Sequence, residues 1–224
     1  MKKLLLICLT IALHAYVHAQ HCTSYFFDNK KIIQLDNYNK RGDKDGYLIY
    51  KITGITTKGS TTTAQVNTQL FDKNKKLLNT GNHIVKCFGD MVLMDMKLFI
   101  PQQQTEQYGS PETILKNSFL EFPADMKEGD HLKDGHFEME VDKNGLKQIL
   151  QMDITDRVIT GKETITTTAG RWECFIIKQS IKLNLQTGPI AIPLTIETTE
   201  WYAPSLGIAK TITGEQATQL ASIK

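Results

Sequence analysis

The sequence predicts an all-β fold with few short helices: a curved, mostly antiparallel half-open barrel of about ten or eleven strands. Three observations carry this reading. Apolar and polar residues alternate with a period of two along most of the chain, as in Ala64, Val66 and Leu70 set against Gln65, Asn67 and Gln69. Short turn signals, among them Gly42, Gly59, Gly89, Asn144-Gly145, Gly170 and Gly207, separate the runs. Finally, the longest regular stretch, beginning at Leu146, keeps the strand period and so excludes a long helix. A sheet this large must curl, split or close on itself.

The chain begins as an exported protein would. Met1-Lys2-Lys3 precedes an apolar run from Leu4 to Leu13, and Val17-His18-Ala19 offers a cleavage site, so residues 1–19 are expected to be a signal peptide and 20–224 a single β domain. The apolar run is shorter than the roughly 20 residues a membrane span needs. Ala19-Gln20-His21 before Cys22 does not resemble a lipobox. The expected location is the periplasm or an association with the outer membrane. Without Lys2 and Lys3 the 26 basic residues fall to 24, equal to the 24 acids. That neutrality gives no reason to expect nucleic acid as a partner. The remaining cysteines are Cys22, Cys87 and Cys174, allowing one bridge and one spare thiol. The preferred pair is Cys22 with Cys87, because Cys174 sits among Trp172, Phe175 and Ile176, where a free thiol acts as a small apolar residue; three unpaired thiols is the alternative.

In order, residues 32–39 and 46–57 read as a hairpin around a charged turn containing Gly42. Strands follow at 61–71 and 77–87. The methionine-rich run 91–100 reads as a fifth strand, with Val92, Met94, Met96 and Leu98 on one face. Residues 101–111, with Gln102-Gln103-Gln104 and Gly109, break the rhythm and are the best candidate for a flap. A strand at 114–122 and a charged loop at 123–135 lead to a hairpin of 136–141 with 146 onward, turned by Asn144-Gly145. In the long strand Leu146, Leu150, Met152, Ile154 and Val158 share one face, and Lys147, Gln151, Asp153, Thr155 and Arg157 the other. Gly161 is expected to bend or end it. Further strands fall at 171–185 and 190–202. The run Thr199-Glu200-Trp201-Tyr202-Ala203-Pro204 then turns at Gly207 into another strand, with Trp201 facing away from Glu200 and Tyr202. Residues 215–223 read as a short terminal helix.

Candidate chemistry is sparse. His131 and His136 lie near Asp130, Asp134 and Glu138, but the spacing fits no metal signature, and solvated loop residues are the expectation; no metal and no cofactor is predicted. There is no Gly-x-Ser-x-Gly elbow and no phosphate-binding glycine loop, and Cys174 lies in apolar surroundings that suppress reactivity. No catalytic residue is assigned, and the protein is not expected to be an enzyme. Met91, Met94, Met96, Met139 and Met152 would suit an adaptable apolar cavity, with ordinary core packing as the alternative.

Several local patterns occur together. They are Cys22-Thr23-Ser24-Tyr25-Phe26, Asn37-Tyr38-Asn39-Lys40-Arg41-Gly42, Leu70-Phe71-Asp72-Lys73-Asn74-Lys75-Lys76-Leu77, Val85-Lys86-Cys87, Leu120-Glu121-Phe122-Pro123, Thr168-Ala169-Gly170-Arg171-Trp172-Glu173-Cys174, and Glu200-Trp201-Tyr202-Ala203-Pro204 to Gly207. In these the chain resembles the TapB-like group of exported Bacteroidetes proteins. The resemblance implies an architecture similar to the lipoprotein-localisation factors, a curved sheet around a hydrophobic groove, with a lipid or acyl chain as the ligand. The groove would be lined by Met94, Met96, Leu98, Leu150, Met152, Ile154, Trp201 and Tyr202. The alternative is a structural or interaction module that binds another envelope protein through a sheet edge or loop.

Overall fold

The computed structural model describes residues 24–100, 119–143 and 146–224. The leader, Cys22, the expected flap at 101–111 and the Asn144-Gly145 turn lie outside them. The strands are β1 (Ile32–Tyr38), β2 (Lys44–Lys58), β3 (Thr61–Asp72), β4 (Leu77–Phe88), β5 (Met91–Asp95), β6 (Phe119–Pro123), β7 (Gly135–Lys143), β8 (Leu146–Thr167), β9 (Gly170–Thr187), β10 (Ile190–Ala203), β11 (Gly207–Thr213) and β12 (Gln216–Ile223).

All 12 form one sheet in the order β6-β5-β4-β3-β2-β1-β12-β11-β10-β9-β8-β7, with antiparallel neighbours throughout. The first half of the chain builds outward from β1 to one edge, and the second half builds inward from the other edge to β12, which pairs with β1. The two edges, β6 and β7, are therefore consecutive in sequence. A short connection between them is possible only if the sheet curls until its edges meet, and the result is a nearly closed barrel. At the seam a Cβ on Gly135 would lie 2.6 Å from Leu120 Cδ1 and 2.9 Å from the Met96 sulfur, so the absence of a side chain is what lets β7 approach β6.

The core fills the barrel with one face of each strand, including Ile33, Ile52, Val66, Val85, Phe122, Phe137 and Ile177. The N-terminal segment covers one end. Ser24 Oγ donates to Leu206 O at 3.2 Å, Tyr25 N donates to Ser205 O at 2.8 Å, and the 3-10 turn Tyr25–Phe27 points Phe26 into the core. Cys87 is disulfide-bonded, and Cys174 is free and buried. Burial pushes the Cys174 thiol up to about 12, which keeps it protonated and inert.

Three sequence expectations change. Residues 215–223 form β12 rather than a helix, because this stretch has a partner on both sides, with Leu220 opposite Leu35 of β1 and Gln219 opposite Lys210 of β11; ladder pairing overrides local preference. The strand expected at 91–100 stops at Asp95. The buried Asp95 carboxylate accepts from Lys97 N at 3.0 Å and caps a 3-10 turn, Met96–Phe99. In β8 the register shifts between Thr155 and Val158 and again between Ile159 and Gly161, and Asp156 takes a φ of 58°. This bulge reverses the alternation, so Arg157 points inward and Val158 does not. Gly161 bends the strand and does not end it.

Trp201 stands on the outer face, opposite Glu200 and Tyr202 as the alternation requires. It is nonetheless buried: its Nε1 donates to Glu163 Oε2 at 2.7 Å and Lys210 Nζ lies 4.5 Å from its ring centroid. Trp201→Ala is expected to cost about 3 kcal/mol and to lower Tm by roughly 6–12 °C. A variant that melts with the parent would contradict this.

Candidate functional site

A cavity of about 470 Å³ opens inside the barrel. Its apolar wall includes Ile33, Leu35, Leu48, Leu70 and Met94, and Phe26 and Leu206 come from the segments that cover the barrel end. Asn37, Asp45, Leu78, Thr213 and Gln216, at or near the strand ends that join at the β1–β2, β3–β4 and β11–β12 turns, border it on the other side and define the mouth.

Of the eight residues expected in a groove, Met94 and Leu98 border this cavity. Met96, Leu150, Met152, Ile154 and Tyr202 are buried in the packed core beside it, and Trp201 is on the outer face. Met139 also belongs to the packed core. A period of two assigns a side chain to a face, but only the closure of the sheet decides where along that face the barrel is filled and where it is hollow.

The cavity also has a charged wall. On β10 the side chains of Ile196, Thr198 and Glu200 follow one another along the lining. Glu200 is 2% exposed, and among the described residues its fully buried Oε2 has no hydrogen-bond partner. Burial raises the Glu200 carboxyl to about 7, with the charge of Arg157 and the amide of Gln179 pulling the other way. Tyr50 borders the same space, and its phenol is raised above the ordinary value by burial and then by the charge of Glu200.

Arg157, only 1% exposed, supplies the counter-charge. Its Nε donates to Gln179 Oε1 at 3.2 Å, and its Nη1 donates to Glu121 O at 3.1 Å and Lys133 O at 2.6 Å. The guanidinium lies 4.9 Å from the Phe122 ring, which in turn stacks on Tyr202 at 4.5 Å. Burial lowers Arg157 to about 10, so it stays charged at neutral pH. Among the described residues Nη2 of Arg157 also lacks a partner, and Nε2 of Gln179, the amide that acts on the Glu200 carboxylate, stays just outside bonding geometry. Orphaned buried polar atoms are uncommon in folded proteins and call for an explanation.

Sequence reasoning placed Glu200 on the face of Tyr202 but gave it no role, and put Arg157 on the strand face opposite Met152 and Ile154. The only available signal was a carboxylate sharing a strand face with Ile196 and Thr198; the β8 bulge that turns Arg157 inward leaves no comparable mark. The histidines do not converge. His136 Nδ1 pairs with Asp153 Oδ1, and His131 is exposed and forms a bridge with Val158. Among the described residues no group of three or more His, Cys, Asp or Glu side chains gathers around a point.

A single antiparallel sheet curled around its own core, with a cavity at one end, places this chain among the barrel-like all-β proteins. It belongs to the DUF3108-like family, whose model matches residues 30–224. Two crystal structures share the fold. One, from Bacteroides fragilis NCTC 9343, is described as an exported protein with a YmcC-like fold; it is 21% identical with a TM-score of 0.70, over 88% of this chain and 96% of that one. The other, described as a lipoprotein, is from Parabacteroides distasonis ATCC 8503; it is 19% identical with a TM-score of 0.74, over 92% of this chain and 100% of that one. The comparison with curated proteins finds no match.

Proposed function

We propose that this is a non-catalytic cell-envelope protein, exported by a leader at residues 1–19, that holds a lipid or other apolar ligand inside its barrel. The observation that supports this most directly is the cavity. Its volume of about 470 Å³ falls within the roughly 300–1,000 Å³ common for small-molecule sites, and its walls are mostly aliphatic and aromatic, with threonines and a few other polar groups. The sequence likeness to the TapB-like group and its lipoprotein-localisation-factor architecture agrees with an acyl chain as occupant, and the description of fold relatives as exported protein and lipoprotein agrees with the envelope location. Protein purified from its own cell envelope and denatured in the mass spectrometer is expected to release about one apolar molecule per chain. Protein that arrives empty would overturn the reading.

A second reading, an envelope protein as partner, is favoured by the outer face of β4, where Ile84 is 38% and Phe88 54% exposed. Recovery of one partner in a pull-down, lost in Phe88→Asp and unaffected by extraction of apolar material, would support it.

A further inference from the structure

The barrel rim is uneven. Thr213 of β11 borders the cavity mouth and pairs with Thr198 of β10, and among the described residues β11 pairs with no residue of β10 before that one. β10 continues past this level, from residue 197 back to 190, with β9 as its partner among the described residues. At about 3.3 Å per residue the β9–β10 hairpin projects roughly 25 Å beyond the neighbouring rim. The apolar face of the strand continues with it. Ile196 lines the cavity, and Leu194, Ile192 and Ile190 follow at the same parity, exposed by 43%, 59% and 64%. Leu194 lies opposite Leu183 of β9, which is buried, so the cover over this face stops one strand short of the edge. Residues 188–195 are all exposed and none is charged. An uncharged aliphatic tip held clear of the barrel marks a contact surface.

We propose that this hairpin tip is a membrane-docking wedge, and that its partner is the apolar boundary of a lipid bilayer rather than another protein. The run offers little that a protein would use. Interfaces between proteins carry about one hydrogen bond per 100–200 Å², and among the side chains of residues 188–195 only Thr195 can make one. Strand addition along the open edge is disfavoured too, because Pro193 sits in the middle of the run with no N–H to donate. A bilayer needs neither, since aliphatic side chains that enter its acyl boundary leave water by doing so. Ala191 and Pro193, on the opposite face, are uncharged and can enter with them. The cavity gives the docking a direction. Its mouth lies at the same end of the barrel, and the stripe from Ile190 to Leu194 leads through Ile196 into its wall. An apolar molecule leaving the bilayer would meet a continuous apolar path. The docking thus deepens the apolar-ligand reading above, on which it rests for its purpose, by assigning the side from which the ligand enters.

The test is flotation of the full mature protein with vesicles of dioleoylphosphatidylcholine, and with vesicles in which part of that lipid is replaced by dioleoylphosphatidylglycerol, at low and high salt. Binding to both is expected, and high salt should leave it in place, because no charge of the tip takes part. Ile192→Asp should weaken partitioning by about 10–100-fold, the worth of burying one large aliphatic side chain. Ile84→Asp, at another exposed isoleucine on the outer face of β4, should leave it unchanged. Ile192→Trp should show, on vesicles, a blue-shifted emission that the parent lacks and that brominated acyl chains quench. No flotation by the parent, or flotation that needs the anionic lipid or is lost in salt, would overturn the docking. So would equal losses from Ile192→Asp and Ile84→Asp, or a lipid-free dimer that Ile192→Asp dissociates, which would give the tip to a second copy of this chain. The two readings fail separately. A protein that floats but yields no apolar molecule from its envelope loses the ligand reading alone, and one that carries a ligand but does not float loses the docking alone.

Discussion

Arg157→Ala should destabilise the protein by about 3–5 kcal/mol at pH 8, lowering Tm by roughly 6–20 °C. The substitution removes the donor shared by Glu121 O and Lys133 O, which lie on either side of the seam where β6 faces β7 without a ladder. It also removes the charge that opposes the desolvation of Glu200 and the cation stacked on Phe122. Arg157→Met, which restores most of the volume, should recover only part of the loss, because the carbonyls stay unpaired. Thermal melts of the three proteins at pH 8 and pH 5 provide the check. The penalty should shrink at pH 5, where Glu200 binds a proton and no longer needs a counter-charge. A parent-like melt for Arg157→Ala, or a penalty independent of pH, would contradict this account.

Glu200→Gln should be more stable than the parent above pH 7 and indistinguishable from it near pH 4. The folded state holds the Glu200 carboxyl at about 7, above the roughly 4.3 of an unfolded chain. Below pH 4 both states carry the proton, and Glu200 imposes no charge penalty on folding. As pH rises from about 4 to 7 the unfolded chain ionises while the folded chain does not, so stability is lost progressively. Above pH 7 the full penalty applies, roughly 4 kcal/mol for the difference between the two values. The amide avoids the charge but brings two donors of its own, so the expected gain at pH 8 is about 1–3 kcal/mol. Urea midpoints of both proteins at pH 4 and pH 8 read it directly, and other carboxylates cancel in the difference. A gain of the same size at both pH values would show that Glu200 is not the group responsible.

Much of the fold was legible because strand alternation and turn residues are local signals. The hairpin from β1 to β2, the strands β3 and β4, the long β8 and the strand pair around Trp201 all sit where the pattern places them. The errors have local causes that the pattern hides. A buried Asp95 capped a turn in a run that alternates like a strand. Residues 215–223 have the composition of a short helix but meet an open ladder position on each side. At Asp156 one residue in a left-handed conformation exchanged inside for outside.

The sequence by itself determined that this is an antiparallel β domain with Glu200 and Tyr202 on one face of a strand and Trp201 on the other, since side-chain direction follows from a repeat of two. The tertiary structure decided which of those faces is the interior, that the β8 bulge turns Arg157 inward where its charge acts on Glu200, and that Met94 and Leu98 border the cavity while Met96 and Met152 are packed. Those outcomes depend on contacts between residues far apart in the chain and on how tightly the sheet curls, and neither is encoded in any single stretch of residues.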